Sequence, residues 1–486
     1  MKMFILGIFL GYFLFFLPRN VQAVEPLKLS GEYKGSNVIL IILDALRPDH
    51  LSCYGYSGKT SPNIDALADR GVIFTNAFSA ASYTMPAVAS IFTSLYPYSH
   101  NICLAFKDEL PDNIPTLAKI LNASGYKTVW FGSNDDPNSG AAKGMLNGFL
   151  ARNELGEMSQ FIEYHGFEAV RAWINKNRQQ PFFLTVHSYM THESIFPFLR
   201  FNDKFSRNVS AVFKDELDSL NMDRLTDVPS FISEDNKACQ LDSLGLRWRR
   251  AYEIFLSGFD KRRVREFRAL LDSSIYRADR DLIGGIVDEL KENGLYDKTI
   301  IIITADHGNE YKEHGSINHG LTLYDECIRV PLIYYLPGLS RGMRRDSLAQ
   351  SIDILPTLLS LLSIPIPAQA QGADLVGILE NKSHPPANEF VFCQGSAGIL
   401  SVRTKRWKYI QRGNDSLKIN EELFDLKVDP AERDNLIGSR DKIARRLKER
   451  LDLWKGSLVK YNIKTSEFSP GVTDRMKESI RKTGYW

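Results

Sequence analysis

Thr84 is the residue whose surroundings most suggest chemistry. It lies in SYTMPAVASIFTSLYP, residues 82–97. Pro86 suits the first turn of a helix, where its missing N–H had no partner to lose, and Ala87 to Leu95 continue as good helix until Pro97 stops it. Thr84 is therefore expected at a helix N-terminus, where free backbone N–H groups and the positive end of the helix dipole favour a phosphate, a sulfate or a developing alkoxide. The same place suits a threonine that is only an N-cap, and this stretch alone does not separate the two. Other reactive side chains recur along the chain: Asp44, His187 and His192 in HSYMTH, Asp306-His307, His314 and His319. One hydroxyl with carboxylates and imidazoles is the equipment of nucleophilic attack and proton transfer.

The elements that must position these residues alternate. Asn37 to Leu43 (NVILIIL) is a β-branched run of the kind buried on both faces of a parallel sheet, with Asp44 at its exit. Helical patterns at Ser61 to Arg70, Ala87 to Leu95, Thr116 to Ala123 and Leu282 to Glu292 alternate with strand candidates at Gly71 to Phe74, Lys127 to Phe131, Phe182 to His187 and Lys298 to Thr304. This rhythm predicts a doubly wound α/β sheet, in which ligands bind beyond the carboxyl ends of the strands. Asp44, His187 and Asp306-His307 occupy that position on three independent strands, which favours a shared site. Residues 200–265 break the rhythm and are expected to be a largely helical insertion, a lid or substrate wall. From about residue 386 short strands at Phe390 to Cys393, Gly398 to Arg403, Lys408 to Gln411 and Glu422 to Leu426, then a helix at Arg440 to Lys455, predict a small antiparallel α+β subdomain over 386–460, following a catalytic domain over 35–385 and followed by a tail over 461–486.

Composition narrows the classes. At 486 residues, 44% hydrophobic and 24% charged, the chain is globular with a large core, and a formal net charge of +2 with scattered Lys and Arg gives no nucleic-acid footprint. Residues 1–23, with Lys2, an apolar run from Met3 to Leu17 and Val21-Gln22-Ala23, read as a cleavable secretory signal, so the protein is expected to be exported, with no membrane contact unless the segment stays as an anchor. Five cysteines, at 53, 103, 239, 327 and 393, show no C-x-x-C spacing, and their odd number leaves at least one thiol unpaired within the chain.

The succession NVILIILDALRPDHLSCYGY, SPNIDALADRGVIFTNAFS, TMPAVASIFTSLYP, TADHGNEYKEHG, NHGLTLYDECIRVPLI, DILPTLL and ELFDLKVDPAERDNL resembles the sulfatase family of the alkaline phosphatase superfamily over nearly the whole chain after the expected signal, C-terminal subdomain included. The resemblance implies a metal-dependent hydrolase of phosphate or sulfate esters, acting on a small-molecule, glycan-linked or lipid-linked substrate. Asp44 matches the family's first metal-binding aspartate and Asp306 the late one; His307 follows where many members have asparagine, as in phosphate-processing branches. Ala45 stands where a second aspartate is usual. Thr84-Met85-Pro86-Ala87-Val88 replaces C-x-P-S-R, so the formylglycine precursor is absent and Val88 replaces the arginine that supports it. Gly132-Ser133-Asn134-Asp135 stands in place of G-K-W-H.

A threonine hydroxyl attacks well only when its proton is lost, which a bound cation promotes. The resemblance therefore implies that Asp44, Thr84, Asp306 and His307 hold a divalent metal ion, zinc or manganese favoured by the imidazole and calcium still allowed. It implies that Thr84 is the nucleophile and that His192 protonates the leaving group or binds an oxygen of the transferred group. His187, His314 and His319 are substrate-binding candidates, with His314 and His319 equally placed to line a second metal position. Arg47 is read as an ion-pair partner of Asp49. Two other functions fit the same residues: a fold-retaining protein that only binds an anionic ligand, permitted by Ala45, Val88 and Ser133, and a transferase of phospho groups.

Overall fold

The computed structural model describes residues 29–102, 108–132, 144–153, 165–192, 203–219, 255–315, 317–380, 388–412, 421–461 and 464–465. The expected signal, Cys103, Cys239, Ser133 to Asp135, most of the 200–265 insertion and nearly all of the tail lie outside them. Among the described residues no helix is long and apolar enough to cross a membrane.

Eight strands form the main sheet: β1 Asn37–Leu43, β2 Gly71–Phe78, β3 Lys127–Gly132, β4 Ala151–Asn153, β5 Phe182–Ser188, β6 Thr299–Thr304, β7 Leu332–Tyr335 and β8 Met343–Gln350. Their order is β8-β2-β7-β6-β1-β5-β3-β4. All neighbours are parallel except β7, which runs antiparallel to both β2 and β6. The sheet is thus doubly wound, with one reversed strand that the alternation did not foretell. β8, reading MRRDSLAQ, was also not foretold, because its charged residues alternate as an edge strand's do rather than forming an apolar run. β2 extends four residues past the expected Phe74 because β8 pairs with Asn76, Ala77 and Phe78.

Because side chains alternate across a strand, β1 feeds two cores. Ile39, Ile41 and Leu43 pack in one cluster with α1 Pro62–Ala68, α4 His165–Asn177, α5 Lys261–Arg277 and α6 Gly284–Glu292, while Val38, Leu40 and Ile42 pack in another with α2 Thr84–Thr93, α3 Leu117–Ala123 and α7 Ile354–Leu361. Within the insertion, Ala211–Ser219 and the start of α5 are helical, as expected of that region.

A second, all-antiparallel sheet follows: β9 Val391–Gln394, β10 Leu400–Arg403, β11 Trp407–Gln411 and β12 Glu421–Asp425, in sequence order. Helix α8, Asp441–Ser457, covers it through Leu447, Leu451 and Trp454, the last stacked on Phe392 with centroids 4.6 Å apart. A buried ion network joins the two sheets' regions: Lys408 Nζ lies 2.9 Å from Asp325 Oδ1 and 2.7 Å from Glu432 Oε1, and Arg403 reaches both oxygens of Asp325 at 2.7 and 2.8 Å. Removing one member of such a network leaves a buried charge uncompensated. Asp325→Ala is expected to destabilise the protein by about 3 kcal/mol, read as a lower midpoint in urea unfolding; an unchanged midpoint would show that Glu432 alone suffices for Lys408.

Candidate active site

The three strand ends are neighbours in the sheet, and their registers align them. Ile42 pairs with His187 on β5 and with Thr304 on β6, so Asp44, His187 and Asp306 emerge side by side. The ladder continues one step beyond β1, where Asp44 N donates to Ser188 O at 2.9 Å, and Thr191 Oγ1 holds the Asp44 carbonyl at 2.6 Å. The chain then turns sharply at Ala45, which sits in the left-handed region with φ 57. A non-glycine residue is uncommon there and is retained where surrounding contacts enforce it; here Ala45 N donates to Asp306 Oδ1 at 3.3 Å, tying the two strand ends together.

Thr84 arrives from the fourth direction, as the first residue of α2. The helix begins two residues before the expected proline: Tyr83 is its N-cap without a side-chain cap bond, and Pro86 is its third residue. The N-cap reading of Thr84 is thereby replaced. The helix also stops earlier than Pro97, at Ser94 in a left-handed conformation with φ 57, and Pro97 instead opens a short helix of its own, Pro97–His100. Met85 to Thr93 are buried, whereas Thr84 is half-buried.

These residues converge on one point. Thr84 Oγ1 lies 3.5 Å from Asp44 Oδ2 and 3.2 Å from His307 Nε2. His307 Nε2 is 3.5 Å from Asp44 Oδ1 and 3.5 Å from Asp306 Oδ2. His307 Nδ1 donates to Gly308 O at 2.7 Å, which orients the ring with Nε2 toward the carboxylates. Gly308 is required beside it, since a Cβ there would meet Glu326 O at 2.1 Å. Asp306 Oδ1 is held by His307 N at 2.9 Å and by Ala45 N.

The other faces are left for a cation. Asp44 Oδ1 and Asp306 Oδ2 are buried with no hydrogen-bond partner, a costly state for a carboxylate oxygen unless positive charge compensates it. Burial opposes charge on Asp306, yet His307 and His187 hold its carboxyl well below the usual range; burial likewise opposes a proton on His187, yet Asp306 and Asp44 lift its pKa to about 9. Asp44, Asp306 and His307 offer ligand atoms all within 4.8 Å of one another, so the donor set fits a divalent cation of the imidazole-accepting kind.

The imidazoles divide. His192, buried, lies with Nε2 3.9 Å from Asp44 Oδ1 and its ring 6.4 Å from that of His307. His319 stacks on His307 at 4.4 Å and stands edge-on to His192 at 5.1 Å; its Nδ1 meets Asn309 Oδ1 at 3.0 Å. His187 Nε2 is 3.6 Å from Asp44 Oδ2 and 3.8 Å from Asp306 Oδ2. His314 is not brought into this group. It lies against Tyr324, centroids 3.6 Å apart, with Nε2 3.5 Å from Glu326 Oε2. Arg47 pairs with Asp49 at 2.7 Å, as expected, and also with Glu313 at 2.9 Å.

Sequence reading missed the parts that hold the site. Asn309 positions His319 through its side chain and receives Arg47 Nη1 on its carbonyl at 3.0 Å; its place two residues after His307 was the available signal. The end of β9 also reaches in: Gln394 N donates to Ala80 O at 3.0 Å, Ser82 N donates to Gln394 O at 3.3 Å, and Ser396 Oγ donates to Gly320 O at 2.9 Å. Those bonds clamp the segments flanking Thr84 and His319, and nothing in the local sequence announces them.

Residues 36–364 match the family model described as Sulfatase, and residues 312–456 match the one described as N-sulphoglucosamine sulphohydrolase, C-terminal. The chain belongs to the sulfatase family. Its reaction class is ester hydrolysis. Among relatives, this sulfatase-family chain is 25% identical over 433 residues to a Delta 4,5-hexuronate-2-O-sulfatase of Bacteroides thetaiotaomicron, covering 82% of this chain and 84% of that one. It is 25% identical to Arylsulfatase K of Xenopus laevis, covering 88% and 84%. In three dimensions it superposes on the phosphonate monoester hydrolase of Agrobacterium radiobacter with a TM-score of 0.65 and 22% identity, covering 86% and 95%; this likeness is one of fold.

Proposed function

We propose that this protein is an exported, metal-dependent hydrolase of anionic esters, phosphate or sulfate, that works through Thr84. The observation carrying the reading is the half-buried Thr84 hydroxyl at the start of α2, 3.5 Å from Asp44 and 3.2 Å from His307, beside two buried carboxylate oxygens without hydrogen-bond partners. The curated relatives are named for sulfatase activity, which supports the sulfate-ester side of the reading. Asp44, Asp306 and His307 would hold a divalent cation, whose positive charge would acidify the Thr84 hydroxyl and offset the oxygens of the transferred group.

The chain's own residues do the rest. Thr84 Oγ1, its proton released to water, forms a bond to the phosphorus or sulfur while the ester oxygen's bond breaks, and the departing oxygen takes a proton from His192. Water then attacks the same centre and gives a proton to His192, Thr84 leaves and regains a proton from solvent, and phosphate or sulfate is released. His319, stacked on His307 and steadied by Asn309, lines the pocket for the anion's oxygens. A histidine suits the leaving-group role because imidazole exchanges protons near neutral pH.

His192→Ala is expected to lower turnover by about 10²- to 10⁴-fold, with the loss shrinking as the leaving alcohol becomes more acidic, since such alcohols depart without a proton. An equal loss across a series of aryl esters would remove His192 from the leaving-group step. The reading as a whole is tested by metal analysis of purified protein with a panel of aryl phosphate, phosphodiester, phosphonate and sulfate esters. Phosphate esters should turn over better than sulfate esters, because a threonine ester lacks the second hydroxyl with which a formylglycine hydrate expels sulfate. Metal-replete protein inert on every member would favour the ligand-binding alternative.

A further inference from the structure

A cavity of about 260 Å³, separate from the cleft at Thr84, lies at the seam between the two sheets. Arg47 and Asp49 reach it from the turn after β1, Glu326 and Arg329 from the segment before β7, and Arg403 and Lys405 from the end of β10 and the turn beyond. Asp44, Thr84, His192 and His307 take no part in its walls. It backs instead onto the segment that carries His307, since a Cβ on Gly308 would meet Glu326 O at 2.1 Å and Arg47 Cγ at 3.3 Å. Its carboxylates are already met by cations: Asp49 by Arg47 at 2.7 Å, Asp325 by Arg403 at 2.7 and 2.8 Å and by Lys408 at 2.9 Å, and Glu326 by His314 at 3.5 Å. Arg329 has no such partner. Among the described residues its side chain makes one bond, from Nη2 to Thr75 O at 2.7 Å, and its Nε is buried with none. The buried Arg403 spends Nη1 on Asp325 and Nε on Thr404 O at 3.4 Å, and its Nη2 bonds to no described residue.

We propose that this cavity binds a small oxyanion, inorganic phosphate or sulfate, between Arg329 beside the main sheet and Arg403 of the C-terminal sheet. A guanidinium drawn from water without a counter-charge is costly, and its planar fork matches the oxygens of either ion. Lys405 adds a further positive charge, because its ion pair with Asp346, 2.9 Å long, is an exposed one that holds it weakly. The volume suits an ion rather than a larger molecule, being below the roughly 300–1,000 Å³ of pockets that take drug-sized ligands. Bound there, the anion ties the C-terminal sheet to the wall behind His307. The site stands independently of the Thr84 chemistry, although phosphate or sulfate is what that chemistry would release.

The test measures binding of labelled phosphate and of labelled sulfate by equilibrium dialysis. It uses full-length wild type, Asp306→Asn, which removes a cation's hold on anions at Thr84, and Asp306→Asn combined with Arg329→Gln. Urea unfolding midpoints in anion-free buffer check folding. Expected are one equivalent of either anion bound by Asp306→Asn, and a weakening of about tenfold or more when Arg329→Gln is added, for the loss of one charge-assisted pair. Binding by wild type that disappears in Asp306→Asn would place the anion at Thr84 and overturn the proposal, as would binding that Arg329→Gln leaves unchanged. A measurement on the unmutated chain is independent of any folding defect: crystals grown with selenate should show selenium between Arg329 and Arg403, and selenium only at Thr84, or nowhere, would remove the site. Neither measurement requires turnover, so failure of the Thr84 reaction leaves the result intact.

Discussion

Thr84→Ala should reduce ester turnover by roughly 10⁴-fold, about 5.5 kcal/mol of transition-state stabilisation, while the protein stays folded and keeps its metal. The size follows from what is removed. Thr84 Oγ1 is the oxygen that meets both Asp44 Oδ2 and His307 Nε2 at the half-buried start of α2, and alanine leaves no atom there to bond to the transferred centre. Folding should survive, because Tyr83 holds the N-cap position and α2 is anchored by the buried Val88, Ile91 and Phe92 on the sheet, not by the threonine side chain. Thr84→Ser keeps the hydroxyl and loses a methyl group, so measurable activity should remain. Steady-state kinetics with an aryl phosphate, alongside metal content, separates the cases. Alanine equal to wild type would move the attack to another oxygen, such as Ser82 Oγ or water.

Asp306→Asn should lower divalent-metal affinity by more than about 100-fold, exceeding the 10- to 100-fold typical of groups that merely support a ligand, and activity should fall with it. Asparagine is the informative replacement. It keeps an oxygen for the N–H groups of Ala45 and His307, which hold Asp306 Oδ1 at 3.3 and 2.9 Å, so the backbone that joins β1 and β6 is not deprived of its acceptor. It loses the charge that, with Asp44, would neutralise a bound cation. Asp306→Ala should lose metal as well and additionally cost stability, because two buried N–H groups are left unpaired at about 1–3 kcal/mol each. Dialysis followed by elemental analysis decides it: full metal occupancy in folded Asp306→Asn would withdraw Asp306 from the ligand set.

The reach of sequence reading here follows the range of the physics. β1, β3, β5 and β6 were legible because a strand buried on both faces must be a run of Val, Ile, Leu and Phe, and the strand-exit residues Asp44, His187 and Asp306 followed from where such runs end. The helix carrying Thr84 was legible in kind, though its start and stop were set by Tyr83 and Ser94 rather than by the two prolines. The C-terminal strands were legible from their short spacing, and all four formed within a residue or two of expectation.

Strand order was not legible, because pairing is a property of partners distant in sequence: β7 enters reversed between β2 and β6, and β8, polar by sequence, becomes a strand only because β2 offers it an edge. The histidines show the same limit. His187, His192, His307, His314 and His319 look alike as letters, and only the fold sorts them. β5 aims His187 at the Asp44 and Asp306 carboxylates, Asn309 and the ring of His307 bring His319 beside His192, and Glu326 with Tyr324 draws His314 away. Residue type in this chain determined which chemistry was available; which atoms face one another within 4 Å was decided by register and packing, since a carboxylate and an imidazole act together only when tertiary structure holds them in contact.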